Sequence, residues 1–98
     1  MKIVYTTTSK QNLLQIKQYI TQDKKTAGAK FIKELKSSIE NLINFPYKYK
    51  QSNYYENKEI RDMSFKGYSI IYRINNNNQT IEILEIFNRN LPQIEYKL

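Results

Sequence analysis

The sequence contains neither cysteine nor histidine. Without cysteine there is no disulfide framework, no thiolate metal site and no thiol nucleophile. Without histidine there is no Ser-His pair, no His-ligated zinc and no side chain that ordinarily titrates near neutral pH. Acid–base chemistry would fall to shifted Glu, Asp, Tyr or Lys groups, with arginine left to stabilise charge. Two glycines leave no Gly-rich phosphate loop. No apolar run approaches the roughly 18 residues that span a membrane. The opening stretch MKIVYTTTSK lacks the apolar core of a signal peptide. The expectation is a cytoplasmic chain with no membrane contact, no metal and no cofactor.

Acidic residues are scarce as well: nine stand against sixteen Lys+Arg, for a formal charge of +7 over 98 residues. The imbalance lies in residues 1–50, which hold ten basic and three acidic side chains, whereas residues 51–98 hold six of each. Such a surface suits an acidic or polyanionic partner, and equally a solvated lysine-rich helix. The length is enough for one domain, residues 1–98, and too short for two.

Hydrophobic periodicity gives the order of elements. Residues 2–7 read as a short strand with Ile3 and Tyr5 on one face and Val4 on the other. Thr8 or Ser9 is placed to cap a first helix carrying Leu13, Ile16 and Ile20, which ends near residues 21–23. Thr26 is placed to cap a second, in which Phe31, Leu35, Ile39 and Leu42 recur at helical spacing. Pro46 disfavours helical geometry at Phe45 and stops it there. Residues 46–57 show no period but hold four of the nine tyrosines. Strands are expected over 58–65, 68–74 and 80–88, with Lys66-Gly67 and Asn75 to Asn78 as turns. The order β-α-α-β-β-β predicts an α+β domain. A helical hairpin covers one face of a small, mainly antiparallel sheet, the first strand joins an edge, and the other face is uncovered.

That open face is the first place to look for function. With Tyr68, Ile70, Tyr72 and Ile74 against the helices, Ser69, Ile71 and Arg73 point away. Arg61 and Arg89 could join Arg73 in an anion-binding surface, or all three could be separate solvated arginines. The loop tyrosines interleaved with Lys48 and Lys50 could stack on unpaired bases, as in an RNA-binding module, or could cover the end of the core. Strict alternation sends Glu82 and Glu85 to opposite faces, which excludes a paired carboxylate site.

Four stretches carry a family resemblance over roughly Lys2 to Pro92. They are Ile16-Lys17-Gln18-Tyr19-Ile20; the spacing Ala29, Phe31, Leu35, Ile39, Leu42, Pro46; Ile60-Arg61-Asp62-Met63 followed by Gly67-Tyr68-Ser69-Ile70-Ile71-Tyr72-Arg73-Ile74; and Ile81 to Phe87 with Asn88-Arg89 after it. In this order they resemble the RelE/ParE superfamily of bacterial type II toxins. The resemblance implies a small basic toxin neutralised by a cognate acidic antitoxin. RelE-like members cleave mRNA in the ribosome; ParE-like members inhibit DNA gyrase. After Gly-Tyr, where cleaving members usually carry arginine, this chain has Ser69, and Asn88 aligns with a common His or Arg. Serine cannot supply the cationic stabilisation that a pentavalent phosphate needs.

The resemblance is accordingly more ParE-like, implying a gyrase poison that is not an enzyme. A ribosome-dependent ribonuclease and a decayed toxin are the alternatives. It implies a target-facing set of Arg61, Tyr68, Ser69, Arg73, Asn88 and Arg89; a nuclease would draw its catalytic groups from Arg61, Arg73 and Arg89. Lys30, Lys33 and Lys36 are the expected antitoxin contacts.

Overall fold

In the computed structural model, residues 1–89 are described; the tail 90–98, with the end of the resemblance at Pro92, lies outside them. Strand β1 (Lys2–Tyr5) leads to helix α1 (Thr7–Thr21) and helix α2 (Ala27–Glu40), which ends in a 3-10 turn, Asn41–Ile43. Strands β2 (Ile60–Phe65), β3 (Tyr68–Asn75) and β4 (Thr80–Asn88) complete the order. The sheet runs β1-β4-β3-β2, with β1 parallel to β4 and the other pairs antiparallel. This is the expected arrangement, the first strand on an edge included.

The helices bury Leu13, Ile16, Leu35 and Ile39 against Met63, Ile70, Tyr72, Ile74, Ile81, Ile83 and Ile86 of the sheet. Alternation along β3 places Tyr68, Ile70, Tyr72 and Ile74 on this face, as their spacing predicts. Helix α1 starts earlier than expected. Thr6, rather than Thr8 or Ser9, is its N-cap, accepting from the Ser9 amide at 3.1 Å. Thr26 precedes α2 without a side-chain cap bond.

The cap residue also answers an irregularity in β4. Between Ile71 and Tyr72 the β3–β4 register slips, so Ile71 faces Glu85, Tyr72 faces Ile83, and Leu84 is the extra residue of a bulge. The Thr6 hydroxyl reaches the carbonyls of both Ile83 (2.8 Å) and Leu84 (3.1 Å). Past the bulge, Asn12 Oδ1 accepts the Ile86 amide at 2.9 Å. Polar side chains of α1 thus complete the hydrogen bonding that the bulge leaves open.

The second sheet face is not bare, contrary to the sequence expectation. Ile60, Ile71 and Phe87 are buried there with Leu84 against them, and Tyr54 packs edge-on to Phe87 at 5.5 Å. The 46–59 segment supplies this cover because its residues 50–52 pair along the outside of β2.

Candidate functional site

The face away from the helices holds one polar group of note. Asp62 on β2 lies opposite Ile71, and Ser69 on β3 lies between Ser64 and Phe87. The two are diagonal neighbours on one face. Ser69 is fully buried, and neither its Oγ nor Asp62 Oδ1 meets a hydrogen-bond partner. Burial raises the Asp62 carboxyl above the usual aspartate range; the nearby Ser69 hydroxyl, Lys50 and Arg89 oppose that rise. The group is a half-buried carboxylate beside the buried Ser69 hydroxyl, with two cations close enough to favour its charge.

The three arginines do not converge. Arg61 pairs in register with Tyr72, on the helix-covered parity, whereas Arg73 lies opposite Ile60 and Glu82 on the other face. Arg61 donates from Nε to the Lys58 carbonyl (2.8 Å) and from Nη1 to the Tyr49 carbonyl (3.0 Å), and its guanidinium sits 4.9 Å from the Tyr47 ring centre. It clamps the tyrosine loop. Tyr47 in turn donates to Glu59 and accepts from Asn76. Arg73 is held by Glu82, with Nη2 2.6 Å and Nε 2.8 Å from Oε1. Arg89 is exposed at the end of β4, its backbone amide bonded to the Gly67 carbonyl.

Tyr68 and Asn88 lie elsewhere again. They face each other in register, and Tyr68 packs against Phe31 at 5.4 Å between ring centres. Both line a small, largely apolar groove with Ile16, Tyr19 and Ile86. The expected target-facing residues therefore occupy three places: the clamp at Arg61, the helix-side groove, and the far face with Ser69, Arg73 and Arg89.

The bulge changes one further expectation. Because Leu84 is extra, Glu82 opposite Arg73 and Glu85 opposite Ile71 share the far face instead of alternating. Glu82 is already committed to Arg73. Among the described residues no three of His, Cys, Asp and Glu gather as a metal site.

The expected antitoxin lysines divide as well. Lys30 and Lys33 line a groove with Phe65 and Lys66, at the β2–β3 turn. Lys36 lies with its ammonium 5.8 Å from the Tyr5 ring centre. The sequence reading missed Asp62 and Lys66 as site residues, and it named Lys50 only beside the loop tyrosines. Asp62 stood inside the Ile60-Arg61-Asp62-Met63 stretch, and Lys66 inside the Lys-Gly turn, so a signal was present for both.

Residues 3–90 match the sequence model of a family described as ParE toxin of type II toxin-antitoxin system, parDE. No curated protein is matched. Among solved structures, the fold resembles a chain of a chromosomal ParDE toxin–antitoxin system from P. aeruginosa, with a TM-score of 0.74 and 15% identity, covering 90% of this chain and 95% of that one. It also resembles the isolated E. coli RelE toxin, with a TM-score of 0.67 and 7% identity, covering 98% and 92%.

Proposed function

The chain belongs to the ParE toxin family of type II toxin–antitoxin systems, and from that premise we propose that it is a growth-inhibiting toxin that acts in the cytoplasm on DNA gyrase. An acidic cognate antitoxin holds it in check. No helix among the described residues is long and apolar enough to cross a membrane.

The observation that carries the gyrase reading over RNA cleavage is the dispersal of the arginines. A pentavalent phosphate transition state needs preorganised cations aimed at its oxyanions. Arg61 is spent on two backbone carbonyls and a ring, and Arg73 on Glu82. Only Arg89 remains near the position of Ser69, with Lys50 beyond Asp62. The chain has no histidine to exchange a proton with Asp62. The face suits docking better than it suits catalysis.

The antitoxin side rests on charge. The helical half of the chain carries the whole excess of +7, and the lysines of α2 are its outward face.

Purified protein added to gyrase with relaxed plasmid tests the reading. The expected result is lost supercoiling and accumulation of cleaved DNA, reversed by the antitoxin. Unimpaired supercoiling, together with new ribosome-dependent mRNA ends inside codons after induction, would replace it with the ribonuclease. In that case Arg89→Ala should abolish the new ends.

A further inference from the structure

The two outer strands of the sheet are finished differently. Residues 50–52 pair along β2, whereas β1 has β4 on one side and, among the described residues, no strand on the other. The amides of Lys2 and Thr6 donate to the carbonyls of Gln79 (3.0 Å) and Ile83 (3.2 Å). Alternation therefore turns the backbone groups of Lys2 and Val4 toward β4 and those of Ile3 and Tyr5 outward. Among the described residues nothing bonds the outward groups. The Val4 side chain, on the face away from the helices, is exposed. An open edge of this kind is a template for another strand.

The flank of α2 above this edge carries one charge of each sign. The Lys36 ammonium lies 5.8 Å from the Tyr5 ring centre. Burial, and then the charge of Glu40 one turn further along, pushes the Tyr5 hydroxyl up, which places that carboxylate close by as well. Lys36 and Glu40 are both exposed, and neither makes an ion pair among the described residues. The Tyr5 hydroxyl beside them is buried without a hydrogen-bond partner.

We propose that β1 pairs antiparallel with β1 of a second copy of this chain, about a two-fold axis through Val4 and normal to the sheet. Ile3 of each copy then exchanges amide–carbonyl bonds with Tyr5 of the other. Val4 meets its own counterpart on the axis as a non-hydrogen-bonded pair, about 4.5 Å between Cα atoms. The same axis keeps both α2 helices on one side of the joined sheet and runs them antiparallel. Lys36 of each copy thereby faces Glu40 of the other. A strand of a single charge sign would satisfy one of these groups and be repelled by its neighbour, whereas a second copy satisfies both. Each copy carries +7, which opposes approach at long range. Screening beyond about 8 Å at physiological salt leaves the contacts at the axis. One short strand and one helix flank make a small interface, so the dimer is weak and depends on concentration.

The test is sedimentation equilibrium of the whole chain from micromolar to millimolar concentration, with amide hydrogen exchange at both ends of the range. The expected mass rises from 11.8 kDa toward twice that value, and the Ile3 and Tyr5 amides gain protection in step. Val4→Lys sets like charges opposite each other at the axis and should weaken association about tenfold or more. Lys36→Glu and Glu40→Lys should each weaken it about tenfold. An equimolar mixture of those two variants should associate again, since each supplies the sign the other lacks. Mixing would not repair a variant that had merely lost its fold. A monomeric mass up to about 1 mM, or an association that none of these variants weakens, would overturn the proposal. So would protection of Ile3 and Tyr5 that is the same at every concentration, which assigns the edge to a cover within one chain. Protection gained only on adding the antitoxin would overturn it too, and assigns the edge to that partner.

Discussion

Tyr72 donates its hydroxyl to the carbonyl of Pro46 at 2.6 Å, joining the centre of the sheet to the residue that follows the helical hairpin. Its ring is wholly buried in the main core. The bond gives a polar tip inside an apolar layer its partner, and it gives the loop a fixed starting point.

Tyr72→Phe should therefore lose about 1 kcal/mol or somewhat more, since the Pro46 carbonyl is left without that donor. Denaturant unfolding of the two proteins checks this. The pH dependence has a definite sign. Burial raises Tyr72, and burial followed by the Glu40 charge pushes Tyr5 up to about 12 from 10.0. The folded state then holds protons that the unfolded chain releases. Stability is fully present below pH 10 and is lost as the pH climbs from there. Tyr5→Phe and Tyr72→Phe should each flatten that alkaline decline.

At Gly28 the two helices pass too close to admit a side chain. A Cβ placed there would lie 2.1 Å from Thr21 Oγ1 and 2.7 Å from the Lys17 carbonyl. An alanine ordinarily strengthens a helix by up to about 1 kcal/mol over glycine. Here the clash decides the sign, and Gly28→Ala should destabilise by about 1–3 kcal/mol. Adding Thr21→Ala, which removes Oγ1, should not fully restore the loss, because the Lys17 carbonyl remains in the way. Thermal unfolding of the single and double variants checks this.

Arg61→Lys keeps the charge but not the planar fork that reaches two carbonyls while lying on Tyr47. The variant should lose about 1–2 kcal/mol and open residues 47–58 to proteolysis. Limited digestion, with the cut sites read by mass spectrometry, checks this. An unchanged digestion pattern would remove the clamp.

Asp62→Asn reads the far face. The raised Asp62 carboxyl makes the folded state bind its proton more tightly than the unfolded chain, whose value is near 3.8. Its contribution to stability is present below that value and is lost as the pH rises through the raised folded value. The difference in melting temperature, variant minus native, should therefore increase from about pH 3 toward neutrality. A difference independent of pH would mean that Asp62 titrates alike folded and unfolded.

The fold was legible where apolar spacing and turn chemistry agree. Leu35 and Ile39 on α2 and the alternation from Tyr68 to Ile74 each name one buried face without ambiguity. Lys66 and Gly67 both take positive φ, as a tight hairpin requires. The bulge was not legible, because Leu84 is as apolar as its neighbours and nothing in an unbroken run shows where the register slips. Asn12 illustrates the same limit: it reads as a surface residue between helical apolar positions, and its role is set by an amide 74 residues away. The arginine site failed for a simpler reason. Alternation gives parity within one strand, and only the β2–β3 register shows that Arg61 and Arg73 fall on opposite faces.

The parallel pairing of β1 with β4 has a consequence for how the protein is born. Lys2 aligns with Thr80 and Tyr5 with Ile83, so β1 waits for β4 before it has a neighbour in the sheet. Closing so long a span carries an entropic penalty, and the pairing can form only once β4 has been synthesised. The helical hairpin can form early, but its apolar face stays without a floor until the meander arrives. A message cut short before the final strand therefore yields chains with no finished sheet. Such fragments are substrates for proteolysis, and only translation through β4 supplies the finished sheet.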